Sequence, residues 1–217
     1  MLTREEARAF YDRFGARQDR QGWYEDSALR DLLAHGDFEG AESVVEFGCG
    51  TGRLAAELLR DHLPESARYR GYDLSSTMVE LARQRLAVFG DRAEVVRSGG
   101  EMRLPMAGGS CDRFLSTYVA DLLPDAEIEA LFAEAHRVLA PRGYLCLASL
   151  TSGITLLSRL VTAAWNLVHR VRPALVGGCR PIEMLPFLES SVWEVSHHRR
   201  LVAWGITSEV VVARNRP

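Results

Sequence analysis

The stretch Ser43–Leu54, SVVEFGCGTGRL, decides the fold. Its first half is a short, β-prone apolar run that predicts a buried strand. Three glycines follow at alternate positions: Gly48, Gly50 and Gly52. From Leu54 onward, apolar residues recur at helical spacing. A bare bend between the carboxyl end of a strand and the start of a helix lets a ligand approach the backbone, and open α/β sheets bind ligands at such bends.

The residues from Glu46 to Gly52 resemble the first motif of class I S-adenosylmethionine-dependent methyltransferases, an acid followed by x-G-x-G-x-G. A nicotinamide or flavin dinucleotide fold would show G-x-G-x-x-G, and Arg53 stands where that pattern needs its last glycine. The resemblance implies S-adenosylmethionine as cofactor, with Glu46 suited to its α-ammonium group. It also implies cofactor contacts at the bend from Gly48, Cys49, Gly50 and Gly52.

Composition is that of an ordinary globular protein. The 217 residues are 47% hydrophobic and 25% charged, which predicts one domain with a sizeable core. The net charge of −3 gives no basic footprint, so no nucleic-acid partner is expected. The four cysteines are scattered, without C-x-x-C spacing. We therefore expect reduced thiols and no metal site.

Acidic residues occur within the first few positions of the sequence, and the N-terminal segment lacks the apolar core of a signal peptide. No secretory signal is therefore expected. No apolar run approaches the roughly 20 residues of a membrane span. These features predict a cytoplasmic protein without stable membrane insertion. They leave its oligomeric state open.

Residues 1–40 predict a helical cap. Thr3 and Glu6 match a capping box, which places a helix start there. The aromatic segment that follows resembles the N-terminal cap of small methyltransferases, in which an early tyrosine reaches the methionine end of the cofactor. Tyr11 is the corresponding residue here. The alternative is that this tyrosine only packs the cap onto the sheet.

Asp73 lies at the tip of the second predicted strand, directly after Arg68–Tyr72. An acid at this tip accepts hydrogen bonds from both ribose hydroxyls of a nucleoside ligand, a device that dinucleotide enzymes share. Leu74 is then placed against the adenine face. Asp73 therefore predicts a nucleoside ligand without choosing between cofactors.

The loop after the third predicted strand carries the adenine contacts in the family, where it reads Gly-Asp-Ala-x-x-Leu-Pro. Counting back from Leu104, the aspartate position falls on Gly100. The pattern is therefore shifted by one residue. The resemblance then implies that Glu101 accepts the adenine amino group and that Met102 presents its backbone N–H.

The fourth predicted strand begins at Cys111, and its end separates cofactor from acceptor in the family. The resemblance implies cofactor contacts from Ser116 and Thr117. Tyr118 and Asp121 are the side chains expected nearest the transferred methyl group, and they are our candidates for catalysis. Helix capping is an equal alternative for Asp121.

The order of elements predicts a doubly wound, mostly parallel α/β sheet. By resemblance it has seven strands, with a cofactor-binding core over 41–150 and an antiparallel hairpin over 191–217 that closes the sheet edge. His197 and His198 alternate along this hairpin, so at most one of them faces the site. Both are further candidates for a general base.

Residues 151–190 depart from the alternation and form a predicted lid or substrate insertion. Ser152–Arg172 predicts an amphipathic helix with a broad apolar stripe. Three interpretations stay open: a helix covering the sheet, a lid lining the acceptor pocket, and a helix resting on a membrane surface. The apolar character of the segment favours a small hydrophobic acceptor.

The sequence thus predicts methyl transfer from S-adenosylmethionine to a small, hydrophobic acceptor. The positive sulfur of this cofactor makes its methyl group electrophilic, so the protein's main task is to align the reacting atoms. An alternative of a different class is a catalytically silent nucleoside-binding or partner module on the same fold.

Overall fold

The computed structural model describes residues 2–216. The strands of its sheet are β1 Ser43–Phe47, β2 Arg68–Asp73, β3 Ala93–Arg97, β4 Cys111–Thr117, β5 Leu139–Leu150, β6 Trp193–Ala203 and β7 Ile206–Asn215. The α-helices are α1 Arg4–Phe14, α2 Gly22–His35, α3 Arg53–Glu57, α4 Ser76–Leu86, α5 Asp125–Val138 and α6 Leu156–Val171. A π-helical turn, Leu58–His62, continues α3.

The seven strands lie in the order β3-β2-β1-β4-β5-β7-β6. The first five pair in parallel, and β7 pairs antiparallel with both β5 and β6. The predicted doubly wound, mostly parallel sheet with a C-terminal antiparallel hairpin is therefore confirmed. Because the carboxyl ends of the parallel strands meet at one edge, the loops that follow β1, β2 and β4 converge there.

The sheet is covered on both faces by helices. One hydrophobic cluster gathers α2, α3 and α4 on one face, and the other gathers α5 with the segment before β6 on the opposite face. Strand β5 lies between the two clusters, and Leu145, Cys146 and Leu147 are fully buried in it. Burial on both faces explains why this strand reads as a continuous apolar run.

Strand β5 begins before the apolar run Tyr144–Leu150, which by itself is typical of a buried strand. Leu139 already pairs with Cys111, and a bulge separates this pair from the main register that begins at Arg113 and Tyr144. Arg142 has a φ of +67° inside the irregular segment. This left-handed residue lets the chain bulge out of the sheet and then resume its pairing with β4. Pro141 therefore lies within β5, although a proline at this position also prevents α5 from continuing.

The N-terminal helix α1 lies across the carboxyl edge of the sheet. The predicted capping box is confirmed, with reciprocal hydrogen bonds between Thr3 and Glu6. Asp12 Oδ1 accepts a hydrogen bond from Ser75 Oγ at 2.6 Å, which fixes α1 against the start of α4. At the other end, Arg4 Nη2 lies 2.6 Å from Glu127 Oε1 on α5. Through these contacts α1 covers the loops that converge at the carboxyl edge of the sheet, and we call it the roof of this region.

Helix α6 packs beside the hairpin β6–β7. Thr155 and Ser158 form a capping box at its start, and Trp165 Nε1 donates a hydrogen bond to the Cys179 carbonyl at 2.9 Å. Within residues 2–216, no helix combines the length and apolarity needed to cross a membrane.

Candidate active site

The bend after β1 requires glycine for both conformation and space. Its three glycines have positive φ angles, +82° at Gly48, +52° at Gly50 and +73° at Gly52. A Cβ at Gly48 would lie 2.2 Å from Val119 Cγ2, and one at Gly52 would lie 3.1 Å from the Ala82 Cα. The bend therefore brings β1, the end of β4 and α4 closer together than any side chain would allow.

A cavity of about 410 Å³ opens beside this bend, between the carboxyl edge of the sheet and α1. Its volume is in the range of small-molecule and cofactor sites. Among the residues that line it are eight of the predicted site residues: Tyr11, Gly48, Gly50, Asp73, Leu74, Met102, Thr117 and Tyr118. The structure thus brings together the glycine bend, the tip of β2 and the end of β4 around one space.

Asp73 lies at the floor of this cavity. Its Oδ2 accepts the Gly50 N–H at 2.8 Å, and its Oδ1 accepts the Ser75 N–H at 2.9 Å. Burial raises the pKa of the Asp73 carboxyl to about 6, against the pull of these N–H groups. The group is therefore mostly ionised at neutral pH, and each oxygen keeps a second lone pair for a ligand hydroxyl.

A smaller chamber of about 50 Å³ adjoins this cavity at Gly48, Thr117 and Tyr118. It contains the predicted residues Glu46 and Cys49. Glu46 is fully buried, and its Oε2 accepts a hydrogen bond from the Tyr69 hydroxyl at 2.5 Å. Burial raises the pKa of Glu46 to about 7.

The same chamber holds a second buried carboxyl beside a guanidinium. Glu25 Oε2 lies 3.4 Å from Arg53 Nη2, and burial raises the pKa of Glu25 to about 7. Arg53 Nη1 also lies 2.6 Å from Asp26 Oδ1, so this guanidinium is already paired with two carboxylates. The carboxyl of Glu46 matches the ammonium group of an amino acid, and in this respect the site fits the methionine half of the cofactor.

Gln18 is a site residue that the sequence interpretation missed. It lines both the cavity and the chamber, and its buried Oε1 has no hydrogen-bond partner among residues 2–216. A Cβ on Gly50 would lie 2.7 Å from this oxygen. An unpartnered buried acceptor facing a glycine bend indicates a polar ligand group. The 3₁₀ segment Gly15–Gln21 has no periodic pattern that would have singled it out.

Three of the predicted cofactor-binding residues line neither space in the part of the chain that the structure describes. Gly52 packs against α4, Ser116 Oγ donates a hydrogen bond to the Phe47 carbonyl at 3.1 Å, and Glu101 is exposed. The residues on either side of Glu101 do line the cavity. Direct cofactor contacts from these three stay predictions.

Tyr118 occupies an unusual backbone conformation at the end of β4. Its φ is +54°, a region that L-residues rarely adopt and that often marks functional sites. Its ring lines both spaces, and its hydroxyl lies 2.9 Å from Ser208 Oγ. Burial raises the pKa of the Tyr118 phenol, so this group keeps its proton at neutral pH.

The two hairpin histidines are engaged elsewhere. His197 Nε2 lies 2.7 Å from Asp31 Oδ2, and His198 Nε2 lies 2.8 Å from Glu209 Oε1. His197 also stacks on His35, with the ring centroids 3.6 Å apart and the planes 8° from parallel. Neither hairpin histidine is among the residues that line the cavity within 2–216.

Asp121 lies behind the cavity wall in a 3₁₀ turn, Ala120–Leu122. It is fully buried, and neither carboxylate oxygen has a hydrogen-bond partner among the described residues. The helix-capping alternative is wrong, because Pro124 is the N-cap of α5 and no side chain caps that helix. Burial raises the pKa of Asp121 to about 7.

Replacing Asp121 with asparagine should stabilise the ligand-free protein at alkaline pH. The pKa of this carboxyl is about 7 in the folded state against 3.8 unfolded, so the folded state binds more protons between these values. Stability is then lost as pH rises through this window. We expect Asp121→Asn to raise the free energy of unfolding by about 1–3 kcal/mol near pH 8.

Urea unfolding across the window measures this effect, and the gain should shrink as the pH approaches 4. Asp91→Asn, at an exposed acid, is the matched control and should leave the pH profile unchanged. If the free energy of unfolding of Asp121→Asn differed from that of the wild type by the same amount at every pH, the proposed cost of burying the ionised carboxylate would be contradicted.

Comparison with known proteins identifies the family. A family model described as "Methyltransferase domain" matches residues 44–143. A trans-aconitate 2-methyltransferase from Azoarcus sp. is 30% identical over 192 residues, which cover 85% of this chain and 68% of that protein. A malonyl-[acyl-carrier protein] O-methyltransferase from Hahella chejuensis is 38% identical over 109 residues, which cover 50% of this chain and only 37% of that protein.

Solved structures share the fold. A geranyl diphosphate methyltransferase in complex with GPP and sinefungin superimposes with a TM-score of 0.69 at 15% identity, over 88% of this chain and 77% of that one. The [4+2]-cyclase SpnF gives a TM-score of 0.67 at 16% identity, over 88% and 81%. At such identities these structures show the fold alone. The sequence relatives carry the assignment further: this chain belongs to the class I S-adenosylmethionine-dependent methyltransferases.

Proposed function

We propose that this methyltransferase acts on a small acceptor with an apolar body. The observation that supports this proposal is an apolar part of the cavity wall, contributed by the residue that precedes Thr3, the N-cap of α1, and by the segment between β4 and α5. These side chains are Leu2, Val119, Leu122 and Leu123. An acceptor held against this wall lies beside Tyr118, at the junction of cavity and chamber.

We infer the cofactor's orientation from the same two spaces. Asp73 takes the ribose hydroxyls, and Leu74 and Met102 flank the adenine beside Gly100. The amino-acid end enters the chamber, where Glu46 accepts from the ammonium group and Gln18 supplies a further acceptor. Tyr11 roofs the junction from α1. The bound cofactor supplies an electrophilic methyl group.

In this arrangement the protein's own residues bind the cofactor and the acceptor and align their reacting atoms. The phenol of Tyr118 keeps its proton, so we assign Tyr118 to orientation of the reactants rather than to proton abstraction. Asp121 lies behind the wall, so we assign it to positioning of the turn that carries Leu122 and that follows Val119. Alignment of this kind supplies roughly 7–11 kcal/mol in favourable cases.

The division into a cap over 1–40, a core over 41–150, a substrate segment over 151–190 and a closing hairpin over 191–217 remains our proposal. The cap contributes directly to the cavity through α1. Among the described residues, none of those that line the cavity belongs to 151–190. A lid role for that segment therefore requires a contact that forms only with acceptor bound.

Tyr118→Phe tests the orientation role. The ring contact with Tyr24, at 5.9 Å between centroids, is retained, whereas the bond to Ser208 is lost. We expect turnover to fall roughly tenfold because the reactants are held less well in line, and the free energy of unfolding to fall by about 1 kcal/mol. Single-turnover kinetics measures the first effect. Ser208→Ala removes the same bond from the other side, and unchanged turnover in both variants would contradict the role.

Ligand-dependent unfolding and an acceptor panel test the function as a whole. S-adenosylmethionine and its demethylated product at about 100 times their dissociation constants should each add about 2.7 kcal/mol of stability, whereas NAD should add none. Formation of the demethylated product should then depend on an acceptor with an apolar body. Stabilisation by NAD alone would overturn the cofactor assignment, and turnover confined to strongly polar acceptors would overturn the acceptor class.

A further inference from the structure

One face of α6 is apolar and open to solvent. Four of its side chains are between 64% and 81% exposed: Leu156, Leu160, Leu167 and Val171. At the helical repeat of 100° per residue, these four fall on one narrow stripe. The opposite side of the helix packs on the protein through Ser158 and Trp165. We call the four exposed residues the α6 apolar face.

The tip of the neighbouring hairpin extends this surface. Trp204 and Gly205 connect β6 to β7, both with positive φ, and Trp204 is 81% exposed. A Cβ on Gly205 would lie 3.1 Å from Val161 Cγ2 on α6, so the tip and the helix are in contact. Asparagine and glycine are the usual residues in such a turn. A solvent-exposed tryptophan with a left-handed backbone indicates a function other than folding.

The surroundings of the α6 apolar face are cationic. Arg159 and Arg170 are exposed along one edge of the stripe, and Arg172 follows the helix. Residues 151–182 contain four arginines and no acidic residue, whereas the whole chain has a net charge of −3. An apolar stripe flanked by arginine, with a tryptophan at its end, is the arrangement of a helix that lies in a membrane interface.

We propose that the α6 apolar face and Trp204 dock the protein on an anionic lipid bilayer. With its 16 residues α6 lies along the surface rather than across it, consistent with its length of roughly 24 Å. The positive edge favours anionic headgroups. A second copy of this chain fits less well, because two-fold antiparallel packing of α6 would bring Arg159 of one copy towards Arg170 of the other, and this segment has no acid to offset them.

Vesicle co-sedimentation of the full chain tests this proposal, with phosphatidylcholine vesicles and with vesicles that also contain phosphatidylglycerol. We expect binding to the anionic vesicles and at least roughly tenfold weaker binding to the neutral ones. Leu160→Ser with Leu167→Ser should weaken binding by about tenfold or more. Arg159→Gln and Arg170→Gln should each weaken it roughly fivefold.

Val88→Ser is the matched control, because Val88 is also 81% exposed but lies in the turn after α4. It should bind vesicles as the wild type does. Trp204→Phe should remove most of the fluorescence blue shift that accompanies binding. The surface variants should have the cofactor affinity and the thermal unfolding of the wild type, and this control shows whether they are folded.

Several outcomes would overturn the proposal. One is a wild-type chain that stays in the supernatant with anionic vesicles. Another is equal vesicle binding by the wild type and the double leucine variant. A third is a wild-type dimer that the leucine changes convert to monomer while vesicle binding is absent, which would assign the surface to a second copy.

Discussion

Replacing Asp73 with alanine should weaken binding of S-adenosylmethionine by about a hundredfold or more, since hydrogen bonds to a charged acceptor are worth about 1.5–3 kcal/mol each. The proposed role gives this carboxylate two ribose hydroxyls in addition to the N–H groups of Gly50 and Ser75 that it already accepts. Isothermal titration measures the affinity. Because two backbone donors lose their partner, we also expect a loss of about 2–4 kcal/mol in the free energy of unfolding.

Two further variants separate binding from folding. Asp73→Asn retains one acceptor oxygen, so it should be more stable than the alanine variant while still binding the cofactor weakly. Asp61→Ala removes a half-exposed acid whose carboxylate contacts the adjacent Arg60, and it should change neither property. Wild-type affinity in a folded Asp73→Ala protein would remove this residue from the site.

Replacing Gly48 with alanine should lower the free energy of unfolding by about 2–5 kcal/mol and abolish measurable cofactor binding. Two causes add here. The φ of +82° is unfavourable for any residue with a Cβ, and that Cβ would lie 2.2 Å from Val119 Cγ2. The bend must open to relieve the contact, which moves the backbone that lines both cavity and chamber. Urea unfolding and thermal shift with cofactor measure the two effects.

The chain offers a control for each cause. Gly90 has a φ of +56° but nothing within 4 Å of its Cβ position, so Gly90→Ala should show the conformational cost alone, about 1–2 kcal/mol. Val119→Ala removes the opposing side chain. Gly48→Ala combined with Val119→Ala should therefore cost less than the sum of the two single changes. Strict additivity would show that the contact is not the cause.

The fold could be predicted because local and global signals agree. Apolar runs that end in glycine or acid, separated by helical stripes, specify a parallel sheet, and the same pattern places Gly48, Asp73 and Thr117 at one edge. Where local chemistry was ambiguous, prediction was less exact. In the sequence, Pro141 and Gly143 are typical of the end of a helix and a turn. Strand β5 nevertheless includes both residues, because its pairing with β4 contains a bulge, and this bulge depends on contacts with the partner strand.

The site was harder to predict, because several of its features depend on contacts between distant segments. Nothing around Gln18 indicates that its side chain will face Gly50. The isolation of Asp121 is equally invisible, since acids next to a helix start are usually capping residues. Periodicity locates the amphipathic stripe of α6 but cannot tell which part of a broad stripe the sheet leaves uncovered.

The ion pair between Arg4 and Glu127 joins α1 to α5, so a shorter fragment of this enzyme that lacks α1 would lose it. Residues 44–143, the portion matched by the family model, hold the floor of the cavity but not its roof. An excised fragment with those boundaries would leave the cavity open on the α1 side. It would also end just before Tyr144, where β5 begins its main pairing with β4 and its pairing with β7. The residues that line the cavity lie between Leu2 and Glu127, whereas strands β5 to β7, which complete the sheet, come after them. A fragment that keeps the cavity closed must therefore extend beyond 44–143 at both ends.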